Sequence, residues 1–147
     1  MAPKSRSIAI LPFKNETGDP ANDYISDGLS ESLINRLTGI SGIRTVSRST
    51  AFSYRSKGDP VQIGRELGVE SVLTGALYRK GEMFEVDTKL LSVNESSEAL
   101  AFRSADKVER TFAIADQIAV KVISYLIPSE SRTPSNTAYT ENNEAFQ

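Results

Sequence analysis

The sequence contains no cysteine, no histidine and no tryptophan among its 147 residues. Without histidine or cysteine there is no imidazole general base, no Ser-His-Asp triad, no cysteine nucleophile and no zinc site built from thiolates or imidazoles. Any chemistry would have to use carboxylates, lysine, arginine or hydroxyl groups. These absences exclude several classes of enzyme, but they do not name a function.

Excess charge and long apolar runs are also missing. The 17 Lys and Arg residues nearly balance the 19 Asp and Glu residues, which gives a net charge of −2 and argues against a protein whose main task is to neutralise nucleic-acid phosphates. The apolar run at residues 8–13 is far shorter than the roughly 20 residues that span a bilayer. No apolar leader segment follows Lys4 and Arg6. We therefore expect one domain with no membrane contact from this segment.

The first third of the chain predicts a strand followed by a helix. Residues 7–13 are almost all apolar, as in a strand buried on both faces, and Pro12 predicts that sheet pairing stops near there. After a polar loop over residues 14–22, we expect a helix with Asp23 as its N-cap and Gly39 near its end. Its core-facing residues span an arc of about 120°; they are Ile25, Leu29, Leu33, Leu37 and Ile40.

The middle of the chain predicts a second strand and a short helix. Residues 43–47 form the strand, and residues 49–58 form an irregular connection. Asp59 then has the place of an N-cap, Pro60 that of the first helical residue, and Gly68 that of the C-cap glycine. This pattern predicts both ends of the helix.

The last part of the domain predicts three strands and a helix. Strands over residues 69–78 and 83–93 flank a turn at Lys80-Gly81, and a short strand follows at residues 99–103. Alternation on the second of these strands points Phe84, Val86, Thr88 and Leu90 inward. The final helix ends before Pro128 and has a narrow apolar face made of Val108, Phe112, Ala115, Ala119, Val122 and Leu126.

This order, β-α-β-α-β-β-β-α, predicts an α/β fold with a single mixed sheet of about five strands and helices packed on it. The early β-α-β units predict parallel strands. We expect residues 1–6 to be an N-terminal start, residues 7–127 to be the folded domain, and residues 128–147, rich in Ser, Thr, Asn and Glu, to be a polar linker. An exposed edge of the sheet could pair two copies into a homodimer, but the pattern does not identify that edge.

Charge is segregated along the first third of the chain. The acidic block contains no basic residue and consists of Glu16, Asp19, Asp23, Asp27 and Glu31. The basic block contains no acidic residue and consists of Arg36, Arg44, Arg48, Arg55 and Lys57. Such blocks can form an ion site or complementary interaction faces, but solvated turns and helix ends explain them as well.

Specific ligand motifs are missing from the sequence. The acidic residues lack the alternating spacing of an EF-hand, and neither GxGxxG nor GxxxxGK[ST] occurs. We therefore expect no catalytic residue, no cofactor and no metal. A candidate surface for a ligand or partner remains where the first strand ends, because open α/β sheets commonly bind ligands there. It comprises Asn15, Asp19, Asp23, Asp27 and Arg48, the last expected to end the second strand; the alternative is that Asn15, Asp19 and Asp27 only cap and turn the chain.

Several short motifs, in order, make residues 7–127 resemble the TolB-like N-terminal domain family. They are Ser7-Ile8-Ala9-Ile10-Leu11-Pro12-Phe13, Asn15-Glu16-Thr17-Gly18-Asp19-Pro20, Tyr24, Ser26-Asp27-Gly28-Leu29, Arg48-Ser49-Thr50, Gly64-Arg65-Glu66-Leu67-Gly68-Val69, Val72-Leu73-Thr74-Gly75 and Phe112-Ala113-Ile114-Ala115-Asp116-Gln117-Ile118-Ala119. One departure is Leu100, near the place where the family usually carries a tryptophan.

The resemblance implies a fold like the N-terminal domain of TolB, itself similar to anticodon-binding domains. It also implies a non-catalytic sensory or interaction module of a bacterial signalling protein. Such modules lie between an adenylate or guanylate cyclase, serine/threonine kinase or winged-helix effector and C-terminal tetratricopeptide (TPR) repeats. The expected partners are therefore the effector and repeats of the same polypeptide, in a longer protein than this chain. A cytoplasmic location is expected, or a periplasmic one if the parent has an upstream transmembrane helix.

The alternative function is nucleotide or nucleic-acid binding through the basic segment at residues 44–57, in line with the anticodon-binding likeness. Nucleic acid is not the expected main partner, because the chain has a small net negative charge. An enzyme acting through carboxylates ranks last, because it needs two acids across a cleft and nothing in the sequence favours that arrangement.

Overall fold

A computed structural model describes residues 6–55 and 58–128 of the chain. They form one mixed sheet with strands β1 (Arg6–Ile10), β2 (Lys14–Asn15), β3 (Ile43–Thr45), β4 (Ser71–Lys80), β5 (Met83–Ser92) and β6 (Ser97–Lys107). The helices are α1 (Asp23–Thr38), α2 (Arg48–Phe52), α3 (Pro60–Leu67) and α4 (Thr111–Leu126). The predicted α/β class and single mixed sheet are confirmed, whereas the predicted linker over residues 128–147 lies outside the described residues except for Pro128.

The strand order is β3-β1-β4-β5-β6, and β2 continues beside β4. Strand β1 pairs in parallel with β3 and β4, while β4, β5 and β6 form an antiparallel meander. The outer strands are therefore β3 and β6. Strand β6 runs to Lys107, four residues beyond the predicted end, and a bulge between Leu90 and Leu91 shifts its register against β5. A homodimer through either edge stays a prediction.

Two apolar layers cover the sheet. On one face α1 and α4 enclose the larger core, in which Ile8, Leu33, Leu73 and Ile118 are fully buried. On the other face α3 covers a smaller core at one end of the sheet, where Ile63 packs with residues of β1 and β4. The inward positions that alternation predicted on β5 are confirmed; these are Phe84, Val86, Thr88 and Leu90.

Pro12 interrupts the first strand without ending its pairing with β4. Regular pairing of β1 stops at Ile10, near Pro12 as predicted, but it resumes at Lys14 against the same strand. Within the gap, the Phe13 N–H donates to Ser30 Oγ of α1 at 2.8 Å. The proline thus redirects the chain toward α1, because it has no N–H for the sheet.

The capping pattern predicted for α3 is confirmed. Asp59 accepts a hydrogen bond from the Gln62 N–H at 3.1 Å, Pro60 begins the helix, and Gly68 ends it with φ of +71°. A left-handed residue at this position favours glycine because a Cβ would crowd the backbone.

Two helix ends differ from the prediction. Asp23 is the first residue of α1 rather than its N-cap, because a 3₁₀ turn at Pro20–Asn22 precedes it and Asp19 caps that turn. The final helix begins at Thr111, after a second 3₁₀ turn at Val108–Arg110. Phe112 is 69% exposed instead of buried, because the buried face of α4 extends from Ala115 toward Ile114 and Ile118, on the side away from Phe112.

Candidate functional site

The candidate loop leaves the sheet at β2 and enters α1. Asn15 organises it: its Nδ2 donates to the Asp19 carbonyl at 2.8 Å and to Asp23 Oδ1 at 2.7 Å. Its Oδ1 accepts from the Thr17 N–H at 3.0 Å and from Thr17 Oγ1 at 2.7 Å. The Asn15 side chain is therefore occupied by bonds inside the loop.

The remaining polar groups of the loop extend the same network. Asp19 Oδ1 accepts from the Ala21 N–H at 3.0 Å, and Asn22 Nδ2 donates to Thr17 Oγ1 at 3.0 Å. The structure thus brings Asn15, Asp19 and Asp23 together, as the hypothesis of a single surface requires. The bonds it shows are those of turns and caps, so the loop is a preformed element. Ligand or partner binding by these residues stays a prediction.

Asp27 and Arg48 lie apart from this network and contact other groups. Asp27 Oδ2 accepts from Arg55 Nη2 at 2.9 Å, while its buried Oδ1 has no partner within the described residues. Arg48 begins α2 instead of ending β3, so its predicted position is wrong. Its Nε lies 3.6 Å from Glu31 Oε1.

The acidic and basic blocks of the sequence meet at the junction of α1 with α2. The guanidinium groups of Arg48 and Arg55 lie 4.3 Å and 5.4 Å from the centre of the Phe52 ring, and each also contacts an α1 carboxylate. Electrostatic attraction between a guanidinium cation and the face of an aromatic ring stabilises such contacts. Two residues of each block therefore pair across the α1–α2 junction and join two parts of one domain.

These contacts bear on the alternative function assigned to residues 44–57. Two of the three arginines described there, Arg48 and Arg55, face carboxylates, and Arg44 is near the Gly68 carbonyl at 3.5 Å. Ser56 and Lys57 lie outside the described residues. Pairing lowers the positive charge that this segment can offer to phosphate, although nucleotide binding stays a prediction.

A groove that the sequence did not reveal lies between the N-terminal ends of α1 and α4. It encloses about 390 Å³, and its lining includes Tyr24, Ile25, Gly28, Val108, Glu109 and Phe112. Tyr24 is 74% exposed and Phe112 69% exposed. The available signals were the glycine in the middle of α1 and Tyr24, an aromatic residue that lies well outside the apolar stripe of that helix. We call this feature the α1–α4 groove.

A second concavity lies on the opposite face of the sheet, beside α3. This open cleft of about 470 Å³ has Lys14, Tyr54, Tyr78 and Lys89 among its lining residues. Lys89 also lies 3.3 Å from Glu98 of β6. The cleft is more polar than the α1–α4 groove.

Beside this cleft, Arg103 holds Asp87 by two hydrogen bonds. Arg103 Nε donates to Asp87 Oδ1 at 2.6 Å and Nη2 donates to Oδ2 at 3.1 Å. These bonds lower the pKa of Asp87 below its ordinary value, more than partial burial raises it. The hydrogen bonds with Asp87 in turn raise the pKa of Arg103. Both groups therefore stay charged at neutral pH and form a cross-strand ion pair between β5 and β6.

Across residues 6–55 and 58–128, we find no cluster of three or more metal-binding side chains. In the same ranges, no helix has the length and apolar character needed to cross a membrane.

The architecture defines the class: this is an α/β domain of the TolB type. TolB from Acinetobacter baumannii is 18% identical, with a TM-score of 0.61 over 84% of this chain and 29% of that chain. Lipoprotein GNA1162 from Neisseria meningitidis is 15% identical, with a TM-score of 0.57 over 84% and 97%. The LpoB C-terminal domain from Salmonella enterica is 17% identical, with a TM-score of 0.57 over 72% and 85%. These likenesses show the fold alone.

Sequence comparison gives the family. Residues 4–123 match the HilA/YgeH-like transcriptional regulator family, second domain, and the chain belongs to that family. It is also 31% identical over 125 residues to a protein of Rhizobium meliloti (strain 1021) named "Putative adenylate cyclase 3". The match covers 84% of this chain and only 21% of that relative. The expected TolB-like fold and regulatory class are thus confirmed.

Proposed function

We propose that this domain is a non-catalytic sensory or interaction module that couples an effector domain to C-terminal TPR repeats in one bacterial polypeptide. The observation that carries the proposal is that similar domains occur in proteins named for two different activities. Its family is the second domain of transcriptional regulators, and a 31% identical relative is named as an adenylate cyclase. A module that serves different outputs is expected to transmit a signal rather than to perform either reaction.

The mechanism follows from differential contact. A partner or ligand that binds one arrangement of the polypeptide more tightly shifts the effector toward that arrangement, by no more than the difference in binding free energy. The internally bonded loop at Asn15 supports this role, because a preformed surface needs little ordering when a partner binds. Catalysis, where the parent protein has it, belongs to the cyclase or kinase effector.

We further propose a cytoplasmic location. The support is the family, since a transcriptional regulator acts where the DNA is. A periplasmic position of the domain would require a membrane-spanning segment between it and such an effector.

The test compares the full-length polypeptide encoded by the gene with a variant that lacks residues 7–127. Cyclic-nucleotide formation, phosphorylation or promoter activity is measured, according to the effector that the gene encodes. We expect loss of regulation or assembly while the isolated effector keeps a basal activity. Unchanged activity, regulation and assembly would refute the coupling role.

A further inference from the structure

We propose that the open cleft beside α3, which we call the α3 cleft, binds a small organic anion in which a planar ring carries one phosphate or carboxylate group. This inference rests on the proposed function and deepens it, because it names the chemical class of signal that the module senses. Three features support it: the position of the cleft in the sheet, a flat floor between apolar and aromatic walls, and an excess of positive charge in the lining.

The α3 cleft lies where the strand order of the sheet reverses. From β1 the chain passes through α1 to β3 on one side of β1. It then returns through α3, on the opposite face of the sheet, to β4 on the other side of β1. Open α/β sheets bind ligands in the crevice at such a point, beyond the carboxyl end of the strand. Leu11 and Pro12, which follow β1, line the cleft together with Pro60 at the start of α3.

Small side chains of β4 form a flat floor in the cleft. Thr74 and Ala76 both line it, since alternate residues of a strand face the same side of a sheet. Ala76 is in register with Lys14 of β2 on one side and with Asp87 of β5 on the other. Thr74 is in register with Lys89 of β5. A planar ring placed on this floor therefore lies between two lysines.

Aromatic and aliphatic side chains form the walls of the cleft. Tyr54 and Ile63 stand on the α3 side and belong to the smaller core, while Tyr78 follows Ala76 on the same face of β4. Binding sites for small molecules combine such apolar walls with a few polar groups, and the volume of about 470 Å³ lies in their usual range. Aromatic walls offer faces on which a planar ring stacks.

The charges of the lining favour an anion. Lys14 forms no ion pair within residues 6–55 and 58–128, whereas Lys89 lies 3.3 Å from Glu98. Asp87 is the one acidic residue in the described lining, and Arg103 donates to both of its carboxylate oxygens. Since these two contacts balance the charges of Lys89 and Asp87, one positive charge remains at Lys14. One anionic group on the ligand complements it.

The experiment titrates the 147-residue chain with two ring-bearing anions, adenosine monophosphate and benzoate, followed by calorimetry and ligand-observed NMR. Adenosine and benzyl alcohol keep the rings without the charge, and inorganic phosphate and acetate keep the charge without a ring. We expect saturable binding of a ring-bearing anion, at least about tenfold tighter than either of its matched fragments. The compound that binds more tightly identifies the source of the anion as a nucleotide or an aromatic carboxylate.

Two variants assign the binding to the cleft. Lys14→Met removes the charge and Ala76→Leu fills the floor, so each should weaken binding about tenfold or more. Lys107→Met, at an exposed lysine of β6 that does not line the cleft, is the matched control and should bind like the parent chain. Urea midpoints show which variants keep the fold. If Ala76→Leu does not fold, Lys14→Met decides alone, because Lys14 is exposed.

Three results would overturn the inference: no saturable binding of either ring-bearing anion up to about 1 mM, fragments that bind as tightly as the whole compound, or equal binding by the parent chain and Lys14→Met. In the full-length protein, an effect of deleting residues 7–127 on the effector without any anion binding rejects the site and keeps the coupling role. Binding that Lys14→Met weakens, without any effect of the deletion, keeps the site and rejects the coupling role.

Discussion

The Phe13 ring packs against the backbone of Gly75, so that a Cβ on residue 75 would lie 2.7 Å from two of its ring carbons. Phe13 follows the Pro12 interruption, and Gly75 lies within β4. The redirected chain can bury its aromatic ring at 1% exposure only because the neighbouring strand has no side chain at this point. The bend that leads to the candidate loop thus depends on a glycine some sixty residues later in the sequence.

Gly75→Ala should therefore destabilise the domain by about 1–3 kcal/mol, the usual cost of overpacking a core. Urea unfolding measures the change, and Ala76→Ser, on the other face of the same strand, is the control. In the double variant, Phe13→Leu should recover part of the lost free energy of unfolding, because leucine is smaller than the phenyl ring. Strictly additive effects of the two substitutions would show that the Phe13 ring and Gly75 are not coupled.

Ser30→Ala should cost about 1–3 kcal/mol, because it leaves the buried N–H of Phe13 without its acceptor. Ser30 is fully buried, and its hydroxyl also lies 3.3 Å from the carbonyls of Leu11 and Ser26. Ser32→Ala removes only the side-chain bond from Arg36 one turn away, and it is the matched control. If both variants unfold at the same urea concentration, the anchoring of the bend to α1 is not important for stability.

Local signals predicted the parts of the fold in which sequence neighbours decide the structure. Asp59 and Gly68 bracket α3 with caps that act within one turn, and alternation on β5 follows directly from the pleat of a strand. Helix α2 also has a local cap, since Ser47 accepts a hydrogen bond from the Thr50 N–H. However, its five residues are too few to show a helical period in the sequence. The prediction of an irregular connection missed it for that reason.

The candidate site was predictable only in part, because its geometry depends on distant residues. The position of the loop after the first strand and the clustering of Asn15 with Asp23 follow from the sequence. The pairing of Asp27 with Arg55 joins residues 28 positions apart, and no local pattern fixes it. The exposure of Phe112 depends on which side of the Ala115–Ala119 stripe packs into the core, and the buried Ile114 and Ile118 lie on the side away from Phe112.

A double-mutant cycle on Asp27 and Arg55 should give a coupling free energy of about 0.2–1 kcal/mol, typical of ion pairs near the surface. Asp27→Asn and Arg55→Gln, singly and together, are compared by urea unfolding at low and high salt. The coupling should shrink as salt rises, because mobile ions screen partly exposed charges. A coupling of zero at low salt would show that the acidic and basic blocks do not stabilise the α1–α2 junction.

The Asp87–Arg103 pair predicts a dependence of stability on pH. Because hydrogen bonds from Arg103 hold the pKa of Asp87 below its ordinary value of 3.8, the folded state binds this proton less readily than the unfolded chain does. The pair's contribution is therefore complete above that pH and is lost as the pH falls through the lower folded pKa. Asp87→Asn should be less stable than the parent chain at pH 7, and the difference should decrease toward pH 3. Arg103→Gln should remove the same acid-sensitive component, since the pKa of Asp87 then returns toward its ordinary value. Urea midpoints measured at pH 7, 5 and 3 for all three chains test this, and a gap between Asp87→Asn and the parent that stays constant with pH would contradict the assignment.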